Sequence, residues 1–280
     1  SVTYAFYLRG WSGITIDPVA EYARRQREVR PRDVMVEAAV SGDVGSVTLH
    51  QIADSGLSSV VDDVGADHRA AGWAVEEVVV PGDFSAAAPF VVAATLLPGS
   101  ELTIHDVGLN PRRIGLLDVL ARMGARVTVF HRHRSSGEPV GDVEVRSAEL
   151  TATTVTAEEV PLMVDELPLF ALAAACSRGE SRVEGARELR VKETDRIETV
   201  TSALRALGIR ITARDDGFGV RGVPSRPRGG GMGSHGDHRI AMVGAIAGLV
   251  SRNGVELEGP EAVAVSFPGF FELLDSVTQR

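Results

Sequence analysis

Lysine is almost missing from this 280-residue chain: of its 29 basic residues, 28 are arginine and only Lys192 is lysine. The two cations are not interchangeable where a compact point charge or a proton transfer is wanted, so the single ammonium marks its position for inspection. Cysteine is equally scarce. Cys176 has no intramolecular partner, which excludes an internal disulfide and fits a reducing cytoplasm. It lies beside the small-residue run Leu172-Ala173-Ala174-Ala175 and reads as core packing rather than as a nucleophile. No apolar run approaches the ~18 residues that a membrane span needs. Ser1-Val2-Thr3-Tyr4 has neither the basic start nor the apolar stretch of a signal peptide. The expectation is a cytoplasmic protein with no membrane association. Positive charge is in deficit as well: a net charge of −9 argues against nucleic acid, whose phosphates want a basic face.

What is present is the composition of a well-buried globular protein, 44% hydrophobic and 24% charged. The length suggests two domains, since domains cluster near ~100–150 residues. From residue 81 onward one structural phrase recurs. Small-residue helices are expected over Ser85–Leu97, Asp165–Cys176 and His238–Val250. Each meets a glycine stop and a short strand, at Leu102-Thr103-Ile104, Ser181-Arg182-Val183 and Val255-Glu256-Leu257. Two of the three carry a matching second half, in which Met123-Gly124-Ala125-Arg126-Val127-Thr128 mirrors Leu207-Gly208-Ile209-Arg210-Ile211-Thr212 after an amphipathic helix. Further strands are expected at Asp142–Arg146 and Gly219–Gly222, and Ser135–Gly141 and Pro224–Gly236 read as loops. The unit is βαβαββ-like, and the third copy stops after a second helix over Gly269–Val277, so residues 81–280 form one domain of three similar units. Residues 1–80 show a different α/β alternation: strands at Ile14-Thr15-Ile16 and Val34–Val40, a helix over Ala20–Val29, and Leu49–Ala53, Val60–Ala71 and Val75–Val80 continuing the alternation.

Charge concentrates at the helix starts. Glu188-Leu189-Arg190-Val191-Lys192-Glu193-Thr194-Asp195-Arg196-Ile197 leads into a helix reaching Leu207. It is either a solvated helix start with weak local ion pairs or an anion site, since basic groups there oppose the macrodipole. Gly236-Asp237-His238-Arg239 offers Asp237 as an N-cap, with arginine again at the unfavourable end. Met163-Val164-Asp165-Glu166-Leu167-Pro168 offers Asp165 as N-cap and Pro168 in the first turn, and Pro81-Gly82-Asp83-Phe84-Ser85 opens the first helix. Repeats stacked about a pseudo-axis would bring these starts to one end, which suits a substrate with several anionic groups.

Taken in order, Val80-Pro81-Gly82-Asp83, Leu109-Asn110-Pro111-Arg112, Val164-Asp165-Glu166-Leu167-Pro168, Leu189-Arg190-Val191-Lys192-Glu193-Thr194-Asp195-Arg196, Asp237-His238-Arg239-Ile240-Ala241-Met242 and Ser266-Phe267-Pro268 resemble the successive signatures of 3-phosphoshikimate 1-carboxyvinyltransferases. The resemblance covers about 200 residues, and the Lys-Glu-Thr-Asp-Arg string separates this family from its relative acting on UDP-N-acetylglucosamine. It implies an inside-out α/β barrel domain of three βαβαββ-like repeats. It also implies transfer of the enolpyruvyl group of phosphoenolpyruvate to the 5-hydroxyl of shikimate 3-phosphate, by addition and then elimination of phosphate, with no metal and no organic cofactor. By position, Asp165 and Glu193 would be the acid/base pair. Arg196 and Arg239 would clamp the carboxylate and phosphate of phosphoenolpyruvate, as bidentate guanidinium groups do. Lys192 would meet the shikimate phosphate, with His238 beside it as a further substrate-binding residue.

The sequence departs from that pattern in two places. Val265 stands where many members have lysine before the Ser/Thr-Phe-Pro element. The lysine–serine motif and the Gly-Asn-Ser/Ala-Gly-Thr loop of the family's amino-terminal domain are not found. Residues 1–80 instead resemble a stretch of FkbM-type methyltransferases, through Ala5-Phe6-Tyr7-Leu8-Arg9-Gly10-Trp11, Gly13-Ile14-Thr15-Ile16-Asp17-Pro18, Arg30-Pro31-Arg32-Asp33, Gly56-Leu57-Ser58-Ser59 and His68-Arg69-Ala70-Ala71-Gly72. That resemblance implies a Rossmann-like fragment in which Asp17 would touch the ribose of S-adenosylmethionine, although no glycine-rich turn precedes Asp17. Three functional readings remain open on sequence: a transferase domain behind a fused fragment, a non-catalytic half that needs a separate amino-terminal domain, and a methyltransferase remnant with a passenger.

Overall fold

The structure is a computed structural model that describes residues 81–278 except 136. Ahead of them it describes the backbone of 14–16, 34–36, 47–52 and 75–80, and helical conformation at 24, 28, 66 and 70. Strands β1 (Ile14–Ile16) and β2 (Val34–Val36) pair in parallel, and β3 (Val47–Ile52) pairs antiparallel with β4 (Val75–Val80). β1 and β2 lie where the sequence pattern places strands, and β3 and β4 fall on segments that continue its alternation. The rest of the first 80 residues lies outside the described residues, and with it most of the expected helix over Ala20–Val29 and most of the FkbM-like segments.

From Gly82 onward the repeat is visible in element order. The first unit comprises α1 (Phe84–Leu96), β5 (Glu101–Gly108), α2 (Gly115–Arg122), β6 (Arg126–Ser135) and β7 (Glu138–Arg146). The second comprises β8 (Thr154–Val155), α3 (Leu167–Ala175), β9 (Gly179–Val183), α4 (Arg196–Ala206), β10 (Arg210–Arg214) and β11 (Gly217–Gly222). The third comprises β12 (Gly230–Gly233), α5 (His238–Val250), β13 (Val255–Glu258) and α6 (Phe270–Val277). Sheet order is β5-β7-β6 in the first unit, with Gly82 bridging Val107 in parallel, and β8-β9-β11-β10 in the second. Arg126 and Arg210 open equivalent strands, and each faces an arginine across the hairpin, Arg146 and Arg221 respectively.

Composition decides which helices go inside. All nine residues of α3 are buried, as are most of α1 and α5, and these three helices pack on one another. A helix that is apolar on every side has no face to give to water, so it becomes the centre of the fold. Phe170, Leu167 and Leu172 are fully buried in α3, each stabilising by about 1.5–3 kcal/mol. Helices α2 and α4 are amphipathic and lie outside this centre, against the hairpins β6/β7 and β10/β11. The domain therefore has helices in the middle and sheets around them.

The third sheet, β12 paired in parallel with β13, has two strands among the described residues. Among the described residues its outer helix α6 is followed by no hairpin of the kind that covers its counterparts. Met123 and Leu207, at the ends of α2 and α4, are fully buried, whereas Val277 at the same place on α6 is 46% exposed.

Two expected loops are corrected. Ser135–Gly141 is mostly strand, because the β6/β7 ladder continues through Arg134↔Pro139 and Ser135↔Glu138 and leaves only two residues between the strands. Pro224–Gly236 contains β12, whose Gly-Gly-Met-Gly sequence shows no side-chain alternation to betray it. Glycine is used there for close approach: Met232 of β12 packs on Gly244 of α5, with Leu257 beside it.

Candidate active site

Each central helix is started by an acid-bearing turn, and the three starts meet. Asp83 caps α1 by accepting from the Ala86 amide at 3.1 Å, and Asp237 caps α5 by accepting from the Arg239 amide at 2.9 Å. The start of α3 differs from expectation. Asp165 is not its N-cap; that place belongs to Glu166, whose side chain caps nothing. Both carboxylates have other partners instead, Asp165 within its own unit and Glu166 in the first. Asp165 Oδ1 accepts from Arg196 Nη1 at 2.8 Å, and Glu166 accepts a hydrogen bond from the Ser85 hydroxyl of α1. Ser85 is a junction: its Oγ accepts from Arg113 Nη2 at 2.9 Å, and its carbonyl accepts from Arg239 Nη1 at 3.1 Å.

The Lys-Glu-Thr-Asp-Arg string is not a helical turn. A 3-10 turn over Arg187–Val191 ends at Lys192 in extended conformation, and α4 begins only at Arg196, with Asp195 as its cap. Arg190 anchors the turn by donating to Asp195 Oδ2 at 2.7 Å and to the carbonyls of Asp215 and Arg214 at 2.8 and 2.6 Å. Arg196 is the hub. Its side chain is 1% exposed and is surrounded by Asp237 (Nε to Oδ2, 2.8 Å), Asp165 and Glu193. Three carboxylates outweigh the unfavourable placement of a cation at a helix start. Lys192 Nζ lies 3.2 Å from Glu188 and 3.7 Å from Asp165. Glu193 is the outermost member, its side chain 49% exposed.

Asp165, Lys192, Glu193, Arg196 and Arg239 thus come together from three segments. Asp165, Glu166, Arg113 and Glu188 also line a recess of about 60 Å³. A much larger groove, about 530 Å³ between α4 and β12–β13, is lined by none of the acids or cations of this cluster. We place the chemistry at the cluster, because charge convergence discriminates between sites and groove size does not. His238 opens α5 beside Arg239.

Burial opposes charge on Asp165, but Arg239, Lys192, Arg196 and Arg113 outweigh it and hold the carboxyl below its ordinary 3.8. Asp237 is likewise held low: burial is overcome by Arg196, by the Thr194 hydroxyl at 3.0 Å and by the Arg239 amide. For Glu166 burial wins. With Asp165 adding to it, burial raises the carboxyl above 4.5 despite Arg239, Ser85 and Arg113. For His238, burial, Arg239 and Arg196 lower the imidazole below 6.5, so the ring is neutral at pH 7. Burial pushes the Cys176 thiol up to about 11, which keeps it from being a nucleophile.

Glu166 supplies a pH prediction. Its native pKa is raised, so the folded chain binds a proton that the unfolded chain releases. The stabilisation is complete below pH 4.5 and is lost as pH rises toward the native pKa. Glu166→Gln keeps the neutral shape. It is therefore expected to unfold at higher urea than the parent at pH 7, with the difference vanishing near pH 4. A difference independent of pH would refute a raised Glu166.

A family model described as EPSP synthase (3-phosphoshikimate 1-carboxyvinyltransferase) matches residues 66–274. The chain belongs to the EPSP synthase family. Among curated relatives, the 3-phosphoshikimate 1-carboxyvinyltransferase of Lactiplantibacillus plantarum is 52% identical over 209 residues, which are 73% of this chain and 47% of that protein. The one from Salinibacter ruber is 39% identical over 283 aligned positions, covering 93% of this chain and 66% of the relative. Among solved structures, an EPSP synthase from Acinetobacter baumannii superposes with a TM-score of 0.68 at 34% identity, covering 84% of this chain and 57% of its own. The chain spans about half the length of the first curated relatives it matches. The family match opens at residue 66, and the Salinibacter ruber alignment takes in more than residues 81–280 contain, so both extend into the segment that sequence patterning set apart.

Sequence reasoning missed three participants in this EPSP synthase-type cluster. Glu166 gives no signal of its own beside Asp165 at a helix start, because its cross-unit partner Ser85 lies 81 positions away. Arg113 directly follows the Leu109-Asn110-Pro111-Arg112 motif and was passed over. Asp237 was seen as a cap only, although it also neutralises Arg196. Val265, at the place of the family's frequent lysine, is 80% exposed.

Proposed function

We propose that this chain supplies the carboxy-terminal half of an enolpyruvyl transferase acting on phosphoenolpyruvate and shikimate 3-phosphate. The observation that carries the reading is the convergence of Asp165, Lys192, Glu193, Arg196 and Arg239 at one end of the three buried helices. Asp165, held ionised, accepts the proton of the 5-hydroxyl as its oxygen bonds to C2 of phosphoenolpyruvate. Glu193, at the exposed rim, delivers a proton to C3. In the elimination the C2–O(phosphate) bond breaks, Glu193 takes a proton back from C3 and phosphate leaves. Two carboxylates in different fields suit this exchange of roles. Arg239 keeps a buried Nε donor with no partner among the described residues, a place for a substrate oxygen. Arg196 holds both acids of the pair, so it reaches substrate only when Glu193 swings away. Lys192 and the neutral His238 line the same rim and would contact shikimate 3-phosphate. A separate amino-terminal domain would close the site, and a cytoplasmic setting, supported by the lone cysteine, belongs to the same proposal. So does a domain boundary near residue 80, supported by the opening of the first full repeat at Gly82.

The test is phosphate release by the chain supplemented with the amino-terminal half of a close relative. Asp165→Asn and Glu193→Gln are each expected to lower kcat by ~10²–10⁴, the range of a lost general acid or base. Turnover that survives both substitutions would remove them from the mechanism.

A further inference from the structure

Helix α1 contains a proline at its sixth residue, Pro89, well past the first turn where proline is tolerated. A proline inside a helix donates no N–H to the carbonyl four residues earlier, and its ring crowds that carbonyl, tilting it off the ladder. Four residues before Pro89 is Ser85. Its carbonyl accepts instead from Arg239 Nη1 at 3.1 Å, across the boundary between the first and third units. Counted from the caps Asp83 and Asp237, the residue of α5 equivalent to Pro89 is Val243, which retains its N–H. The irregularity is therefore particular to the helix that faces Arg239.

Ser85 is itself held in place. Its hydroxyl donates to the buried carboxyl of Glu166 and accepts from Arg113, so the carbonyl presented to Arg239 belongs to a residue tied into the second unit and the loop before α2. Among the described residues the Arg239 guanidinium is hydrogen-bonded through Nη1 to Ser85, and its buried Nε has no partner. An anchored guanidinium with a spare donor is pre-organised for an anion, because less side-chain freedom is lost on binding.

We propose that Pro89 is a positioning residue: by taking the Ser85 carbonyl out of the helix ladder it creates the acceptor that aims Arg239 into the anion site. The ligand half of this statement rests on the transferase reading above; the anchoring half does not. The helix gives up a hydrogen bond and the site gains a fixed cation, an exchange of stability for function of a kind common at active sites.

The substitution Pro89→Ala restores the missing N–H in a strong helix former. In the 280-residue chain three readouts are followed: the thermal midpoint, the Arg239 Nε–Hε resonance of arginine-labelled protein, and titration with phosphoenolpyruvate. The midpoint is expected to rise by a few degrees, roughly the size of one regained helix bond. The Arg239 resonance is expected to lose its protection from exchange, and phosphoenolpyruvate to bind roughly three- to tenfold more weakly, as for a loosened charge-assisted contact. A purely structural proline would move stability and affinity in the same direction or leave affinity alone. In an Arg239→Lys background Pro89→Ala should weaken binding no further, since the effect passes through the guanidinium. Pro89→Val, which copies the equivalent residue of α5, should behave as Pro89→Ala does. An Arg239 resonance that stays protected in both variants overturns the proposal, whatever the binding shows. If the resonance is released while parent and variants alike ignore phosphoenolpyruvate, the anchoring stands and the transferase reading fails.

Discussion

Replacing Arg196 with leucine is expected to destabilise the domain by about 3–5 kcal/mol, the usual result of removing one partner from a buried ionic cluster. Leucine fills much of the space but leaves Asp237, fully buried, and Asp165, 16% exposed, without their shared cation. Against a total stability of ~5–15 kcal/mol that loss is large. The penalty carries a pH signature. Asp165 and Asp237 have lowered native pKa values, so their contribution is present above 3.8 and is lost as pH falls through the native values. Without Arg196 that contribution largely disappears for Asp237, whereas Asp165 keeps Arg239 and Lys192, so the gap between variant and parent should be widest at pH 7 and shrink below pH 4. Arg196→Lys should recover only part of it, because an ammonium cannot fork toward three carboxylates. Urea unfolding at both pH values decides the matter, and a change under about 1 kcal/mol at pH 7 would mean that the cluster is not a structural hub.

The 280-residue chain alone is expected to turn over phosphoenolpyruvate and shikimate 3-phosphate negligibly. Glu193 stands half in water. A charge pair at contact is worth about 1 kcal/mol in bulk water and several times that where water is excluded. Fixing two substrates in reacting geometry contributes ~7–11 kcal/mol to lowering a barrier, and one wall cannot fix both. Supplying the complementary half should raise phosphate release by several powers of ten, toward the ~10 s⁻¹ of ordinary enzymes. A turnover near that value from the unsupplemented chain would show that one half holds both substrates by itself.

Much of this was legible in the residues. The repeat could be read because α1, α3 and α5 are apolar all round and each meets a turn, a pattern that survives divergence in detail. The cap at Asp237 follows a local rule and is legible, whereas Asp83 is legible only as part of a helix start. The failures share a cause. Asp165 looks like a cap by the same rules, but an arginine 31 positions away takes its carboxylate. Glu166 and Arg113 acquire their roles through Ser85, and Ser85 acquires its free carbonyl from a proline that a sequence pattern treats as a blemish. Strand β12 stayed hidden because glycine writes no periodicity. Local chemistry gave the elements, whereas partner choice across repeats needed coordinates.

The two-stranded third sheet bears on how the protein can be handled. Among the described residues β13 offers backbone donors and acceptors along an unpaired margin. Such margins recruit other copies and start precipitates. Here Glu256 and Glu258 alternate with Val255 and Leu257 along the strand, both acids exposed. A second copy approaching edge to edge would set these acids against its own, on top of the repulsion between bodies that each carry a net charge of −9. Solubility at low ionic strength is therefore written into the same strand that leaves the margin open, and concentrated salt, which screens that repulsion, is the condition in which preparations of this chain would cloud first.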